Sequence, residues 1–107
     1  MNRELKFAQS VSRKYQWALN PEPEFLETVL NGLSSNREIY GYYLCPCREG
    51  WGIRDKDRDI ICPCKYASPD IEEFGHCFCG LFFSEAAASG NLPINGIPDR
   101  RDDSLYP

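Results

Sequence analysis

A chain of 107 residues, 42% apolar and 26% charged, suits one modest folded domain and not a disordered chain. Domains this small bury roughly 60–70% of their unfolded surface, so a metal centre would help hold the fold. Twelve basic against sixteen acidic residues leave a net charge of −4, which argues against nucleic acid gripped through its phosphates. No apolar run approaches the roughly 20 residues that span a bilayer, and the start Met1-Asn2-Arg3-Glu4-Leu5-Lys6 leads into no secretory apolar core. A soluble, cytoplasmic protein is expected.

In chain order, the spacing of Ala8, Val11, Tyr15 and Ala18 predicts a helix from about Leu5 to Leu19, with Phe7, Trp17 and Leu19 widening its apolar face. Asn20-Pro21-Glu22-Pro23 ends it and starts a second helix, striped by Leu26, Val29, Leu30 and Leu33 and weakened at Gly32. The two are expected to form a helical hairpin over residues 1–40. Ser35-Asn36-Arg37-Glu38 has the form of a capping box, predicting a separate short turn. The near-balanced run Arg54-Asp55-Lys56-Asp57-Arg58-Asp59 reads as a solvated loop or helix edge. Arg48, Arg54, Lys56, Arg58 and Lys65 are candidate docking cations. Ser68-Pro69-Asp70 predicts a helix capped by Ser68 and ended by Gly75. Leu81-Phe82-Phe83 reads as a short strand, Ser84 as the cap of a short helix through Ala88, and residues 91–107 as an irregular surface tail.

All six cysteines fall in residues 45–79, as Cys45-Pro46-Cys47, Cys62-Pro63-Cys64 and Cys77-Phe78-Cys79. In a reducing cytosol, clustered cysteines point to metal or redox chemistry before a disulfide framework. Structural zinc sites generally use two or more residues between paired cysteines and need four ligands in all. Three Cys-x-Cys pairs fit four thiolates on a cubane iron–sulfur cluster better, leaving two cysteines for other chemistry. Zinc and a disulfide framework remain open as alternatives. Tyr42, Tyr43, Leu44, Ile60, Ile61, Phe74, Phe78, Leu81, Phe82 and Phe83 flank the pairs and would keep water out.

These three ordered pairs, Gly75 ahead of the last, and the ending Ile97-Pro98-Asp99-Arg100-Arg101 resemble the catalytic (beta) chain of ferredoxin–thioredoxin reductase. The resemblance implies a small, mainly α, irregular domain wrapped around a [4Fe-4S] cluster, with residues 41–90 as cluster and redox core. It implies Cys45, Cys62, Cys64 and Cys77 as cluster ligands, and Cys47 and Cys79 as a redox-active disulfide. Cys47 is then the nucleophile and Cys79 the thiol on the cluster side. The implied partners are a ferredoxin or rubredoxin-like donor, a thioredoxin-like substrate and a possible variable subunit. The family pattern has histidine between the cysteines of the third pair, where this chain has Phe78. His76, the one histidine, is the candidate proton donor. A non-catalytic iron–sulfur electron carrier and a zinc-stabilised binding module are the competing readings.

Overall fold

The computed structural model describes residues 2–90 and 96–107. Helix α1, Arg3–Tyr15, starts where the Asn2 side-chain oxygen accepts the Leu5 N–H at 2.7 Å. It buries Ala8 and Val11, as the periodicity predicts, but stops at Tyr15, short of Leu19. Gln16 takes a left-handed conformation (φ 60°) and the Trp17 N–H turns back to the Ser12 carbonyl at 2.9 Å, a helix-ending arrangement. Ala18–Leu19 is instead strand β1, antiparallel to strand β2, Phe82–Phe83. A pairing partner far along the chain decided this segment against its local helical spacing.

Helix α2, Pro23–Tyr40, is one continuous element where a helix and a separate turn were expected. Ser35 caps nothing because the helix runs through it; the Asn36 amide donates to the Leu44 carbonyl at 2.9 Å instead. Val29, Leu30 and Leu33 join Ala8 and Val11 in one core, so the two helices do pack together. Gly32 has a positive role: a Cβ there would sit 3.0 Å from the Pro46 Cβ. The helix can therefore approach the first cysteine pair closely.

Helix α3, Arg54–Asp57, and a 3₁₀ turn, Arg58–Ile60, occupy the charged run. That run is not wholly solvated: Asp57 is 0% exposed. Its carboxylate accepts the Trp51 N–H at 2.9 Å, the Gly52 N–H at 3.1 Å and the Tyr42 hydroxyl. Burial, with Asp57 beside it, pushes the Tyr42 phenol up to about 12.

Helix α4, Ala67–Phe74, begins before Ser68, so Ser68 is not its cap; Tyr66 holds that position without a side-chain bond. Gly75 (φ 89°) ends it as expected, a conformation that glycine adopts without strain. Helix α5, Glu85–Ser89, follows β2, with the Ser84 hydroxyl accepting the Ala87 N–H at 3.1 Å.

Part of the expected irregular tail, residues 91–95, lies outside the described residues. The rest is irregular and mostly exposed, as expected, but it is pinned to the body by ion pairs. Arg100 pairs with Asp70 of α4 at 2.5 Å and with Glu73, while Arg101 pairs with Asp59 at 2.8 Å and is buried. Complementary charges across long sequence separations hold it, which a local reading cannot show. The main core joins the α1 and α2 side chains to Cys45, Cys62, Cys77, Cys79, Leu81 and Phe82. Among the described residues no helix is long and apolar enough to cross a membrane.

Candidate functional site

Backbone pairing, not helix packing, brings the cysteine pairs together. Leu44 and Ile61 form an isolated antiparallel bridge. Beside it the Cys45 N–H donates to the Ile60 carbonyl at 2.9 Å and the Cys62 N–H to the Tyr43 carbonyl at 2.7 Å. Pairs one and two are thus fixed side by side. The third pair turns tightly: the Gly80 N–H reaches the Cys77 carbonyl at 2.9 Å, and the Cys77 N–H reaches the Phe82 carbonyl at 3.0 Å. Asn20, between α1 and α2, donates from its amide to the Gly80 carbonyl at 2.9 Å. The helical hairpin is thereby tied to the residue after Cys79.

Cys45, Cys62, Cys64, Cys77 and Cys79 line one narrow, mostly apolar cavity of about 10 Å³, together with Pro63, Ala67, Phe78 and Phe82. All six cysteines are unbridged thiols; Cys47 is exposed and does not line the cavity. The Cys77 and Cys79 sulfurs lie 3.8 Å apart, and the Phe82 N–H donates to the Cys77 sulfur at 3.3 Å. Hydrogen bonding from Cys79, reinforced by backbone N–H groups, brings the Cys77 thiol down to about 7, while Cys79 itself is pushed up. Burial pushes Cys62 well up, Cys64 up to about 12 and Cys47 up to about 11. Among the described residues, no group of three His, Cys, Asp or Glu side chains is arranged to hold a metal ion.

His76 is 1% exposed. Its Nδ1–H donates to the Cys77 carbonyl at 2.8 Å, and its ring stacks on Phe83 with centroids 5.4 Å apart. It is not one of the cavity-lining residues. Arg48 departs most from its expected place on the surface: its side chain is fully buried, so it is no docking cation. Its guanidinium lies 4.3 Å from the Phe78 ring centre and 5.3 Å from that of Tyr66. It pairs with Asp99 and donates to the Tyr106 hydroxyl at 2.8 Å. Burial opposes its charge, but the Asp99 hydrogen bond and the nearby thiols outweigh that and raise its pKa. Its position after Cys47 was the only local signal, and local sequence does not report burial.

Two comparisons bear on this arrangement. Residues 1–96 match the family described as ferredoxin thioredoxin reductase catalytic beta chain. The chain is also similar to a "Ferredoxin-thioredoxin reductase, catalytic chain" from Guillardia theta, 28% identical over 85 residues that cover 75% of this chain and 76% of the relative. The chain belongs to the ferredoxin–thioredoxin reductase catalytic beta chain family.

Membership makes an iron–sulfur cluster the implied group, and the residues present suit one. Soft sulfur donors line an apolar cavity, the donor type that an iron–sulfur cluster takes. The Arg48 Nε and Nη2 groups, buried and without hydrogen-bond partners, suit an anionic, sulfur-rich neighbour. In this family member the position between the third pair's cysteines carries an aromatic ring with a cation over it, Phe78 with Arg48.

Proposed function

We propose that this chain is the catalytic component of an iron–sulfur disulfide reductase. It takes electrons one at a time from a ferredoxin or rubredoxin-like carrier and reduces the disulfide of a thioredoxin-like protein. One observation carries the reading: five cysteines line one narrow cavity while Cys47 alone is exposed. Cys45, Cys62, Cys64 and Cys77 would hold a [4Fe-4S] cluster, and Cys47 and Cys79 form the exchange pair. When bound, the cluster supplies one-electron storage beside a disulfide that needs two electrons.

The residues then divide the work. The Cys47 sulfur attacks the target disulfide, forming a mixed disulfide and expelling one target sulfur. The Cys79 sulfur attacks Cys47 in turn, closing the Cys47–Cys79 disulfide and releasing the second target sulfur. The two protons leave with the target's thiols. Two electrons from the carrier and two protons from solvent then restore both cysteines. Exposure suits Cys47 to meet a protein substrate, and burial keeps Cys79 from competing for it.

Cys47→Ser should retain its iron and brown colour when purified anaerobically but lose thioredoxin reduction to background. Undiminished reduction would overturn the assignment and favour a plain electron carrier. His76 holds the Cys77 loop through the Cys77 carbonyl and Phe83 and is assigned the proton transfer to the leaving sulfur. His76→Ala is expected to keep its iron, lose about 1–3 kcal/mol of stability, and turn over more slowly. Turnover at the wild-type rate would leave His76 a packing role only.

A further inference from the structure

Arg48 reaches every cysteine pair. Its backbone N–H donates to the Cys45 carbonyl at 3.1 Å, and its guanidinium lies over the rings of Tyr66, two residues past Cys64, and Phe78, between Cys77 and Cys79, 5.3 Å and 4.3 Å from their centres. It is also anchored from outside. Asp99 and the Tyr106 hydroxyl share its Nη1, the Tyr106 hydroxyl donates to Asp99 at 2.5 Å, and Asp99 accepts the Arg101 N–H at 2.9 Å. Arg101 in turn grips Asp59 at 2.8 Å, ahead of Cys62, and Arg100 grips Asp70 at 2.5 Å, between Cys64 and Cys77. Neighbouring tail residues thus hold three different cysteine-bearing segments, with Arg48 at the meeting point.

This arrangement is poor value as a source of stability. Burying a guanidinium costs desolvation, and an apolar residue of similar size often stabilises a fold as well or better. What the arginine offers that an apolar residue does not is a flat, charged plate. It can stack on a ring and accept a rigid carboxylate anchor together. That plate belongs to the residue after Cys47 and lies over the ring of the residue before Cys79. Closing a disulfide requires the two Cβ atoms to come within about 3.5–4.5 Å, and the ease of closure follows how well the two loops are held.

We propose that Arg48, anchored by Asp99 and Tyr106, is the positioning residue of the exchange pair: its stack on Phe78 sets the loop of Cys47 against Cys79. This rests on the assignment of Cys47 and Cys79 as that pair. Loosening the anchor lowers the effective concentration of one thiol at the other, making the disulfide harder to form.

The test equilibrates the anaerobically purified protein in glutathione buffers and reads the Cys47–Cys79 disulfide by alkylation and mass spectrometry. Arg48→Met should lower the equilibrium constant for closure about tenfold, which raises the potential by about 30 mV. Asp99→Asn should shift it the same way by less, and Arg48→Lys should fail to rescue because an ammonium cannot stack as a plate. A residue that merely stabilised the fold would lower Tm and leave the constant alone. Wild-type constants in the variants, or full rescue by lysine, overturn the proposal. The Asp99 carboxylate is partly exposed, so Asp99→Asn keeps the question decidable if Arg48→Met does not fold. Absence of a Cys47–Cys79 disulfide in the wild-type protein would instead overturn the exchange-pair assignment, and this proposal with it.

Discussion

Cys62→Ser is expected to yield a protein with almost no bound iron and a much weakened fold. Cys62 is buried in the main core, lines the cysteine cavity and carries the N–H that docks pair two on the Tyr43 carbonyl at 2.7 Å. Serine preserves the backbone and the volume nearly enough, but replaces a soft sulfur donor with a hard, weakly acidic hydroxyl that a cluster iron does not hold well. The hydroxyl is then also a polar group in an apolar cavity, at about 1–3 kcal/mol unless it finds a partner. Because cluster binding and folding draw on the same side chains, losing the one weakens the other. Iron and sulfide per chain, with visible absorbance after anaerobic purification, read the first effect; thermal unfolding reads the second. A serine variant with a full complement of iron would remove Cys62 from the ligand set. The contrast with Cys47→Ser is the sharper point, since an exposed thiol outside the cavity should be dispensable for iron and indispensable for turnover.

The sequence disclosed the elements whose causes are local. Ser84 as a cap, Gly75 as a terminator, and the Ala8, Val11, Val29 and Leu33 stripes are visible in short windows, and the structure has them. It misled where distant partners decide. Ala18–Leu19 has helical spacing but is a strand because Phe82–Phe83 lies alongside, and Ser35 looks like a cap but sits inside a longer helix. The cysteine pattern announced a site, and the structure gathers five of the six around one cavity. It gave no hint that Arg48 turns inward or that Asp99, Arg100 and Arg101 reach back to separate segments. Alternating charge reads as solvated because most such runs are. An inward charge shows itself only when its partners from other parts of the chain are in place, and Asp57 is the strongest instance.

Asp57→Ala is expected to destabilise the protein by about 3–5 kcal/mol, near the upper end for one substitution. The carboxylate is 0% exposed and satisfies the N–H groups of Trp51 and Gly52 together with the Tyr42 hydroxyl. Alanine strands all three donors. The carboxylate is closely packed, since a Cβ added at Gly50 would sit 2.7 Å from the Asp57 Oδ2 and 2.9 Å from Leu44. The loss falls on the smaller core of Tyr42, Leu44 and Ile60, from which the Leu44–Ile61 bridge and the Cys45 N–H bond to Ile60 set pairs one and two together. For a domain near this size, such a change lowers Tm by about 15–30 °C. Asp57→Asn, which keeps an acceptor oxygen but brings an unwanted donor, should fall between alanine and the wild type. Iron content in the folded fraction is expected to stay at the wild-type level, because no cysteine is touched. Thermal unfolding of the two variants checks the order, and an alanine variant within 1 kcal/mol of the wild type, roughly the size of one ordinary net hydrogen bond, would show that the loop is held by something other than this carboxylate.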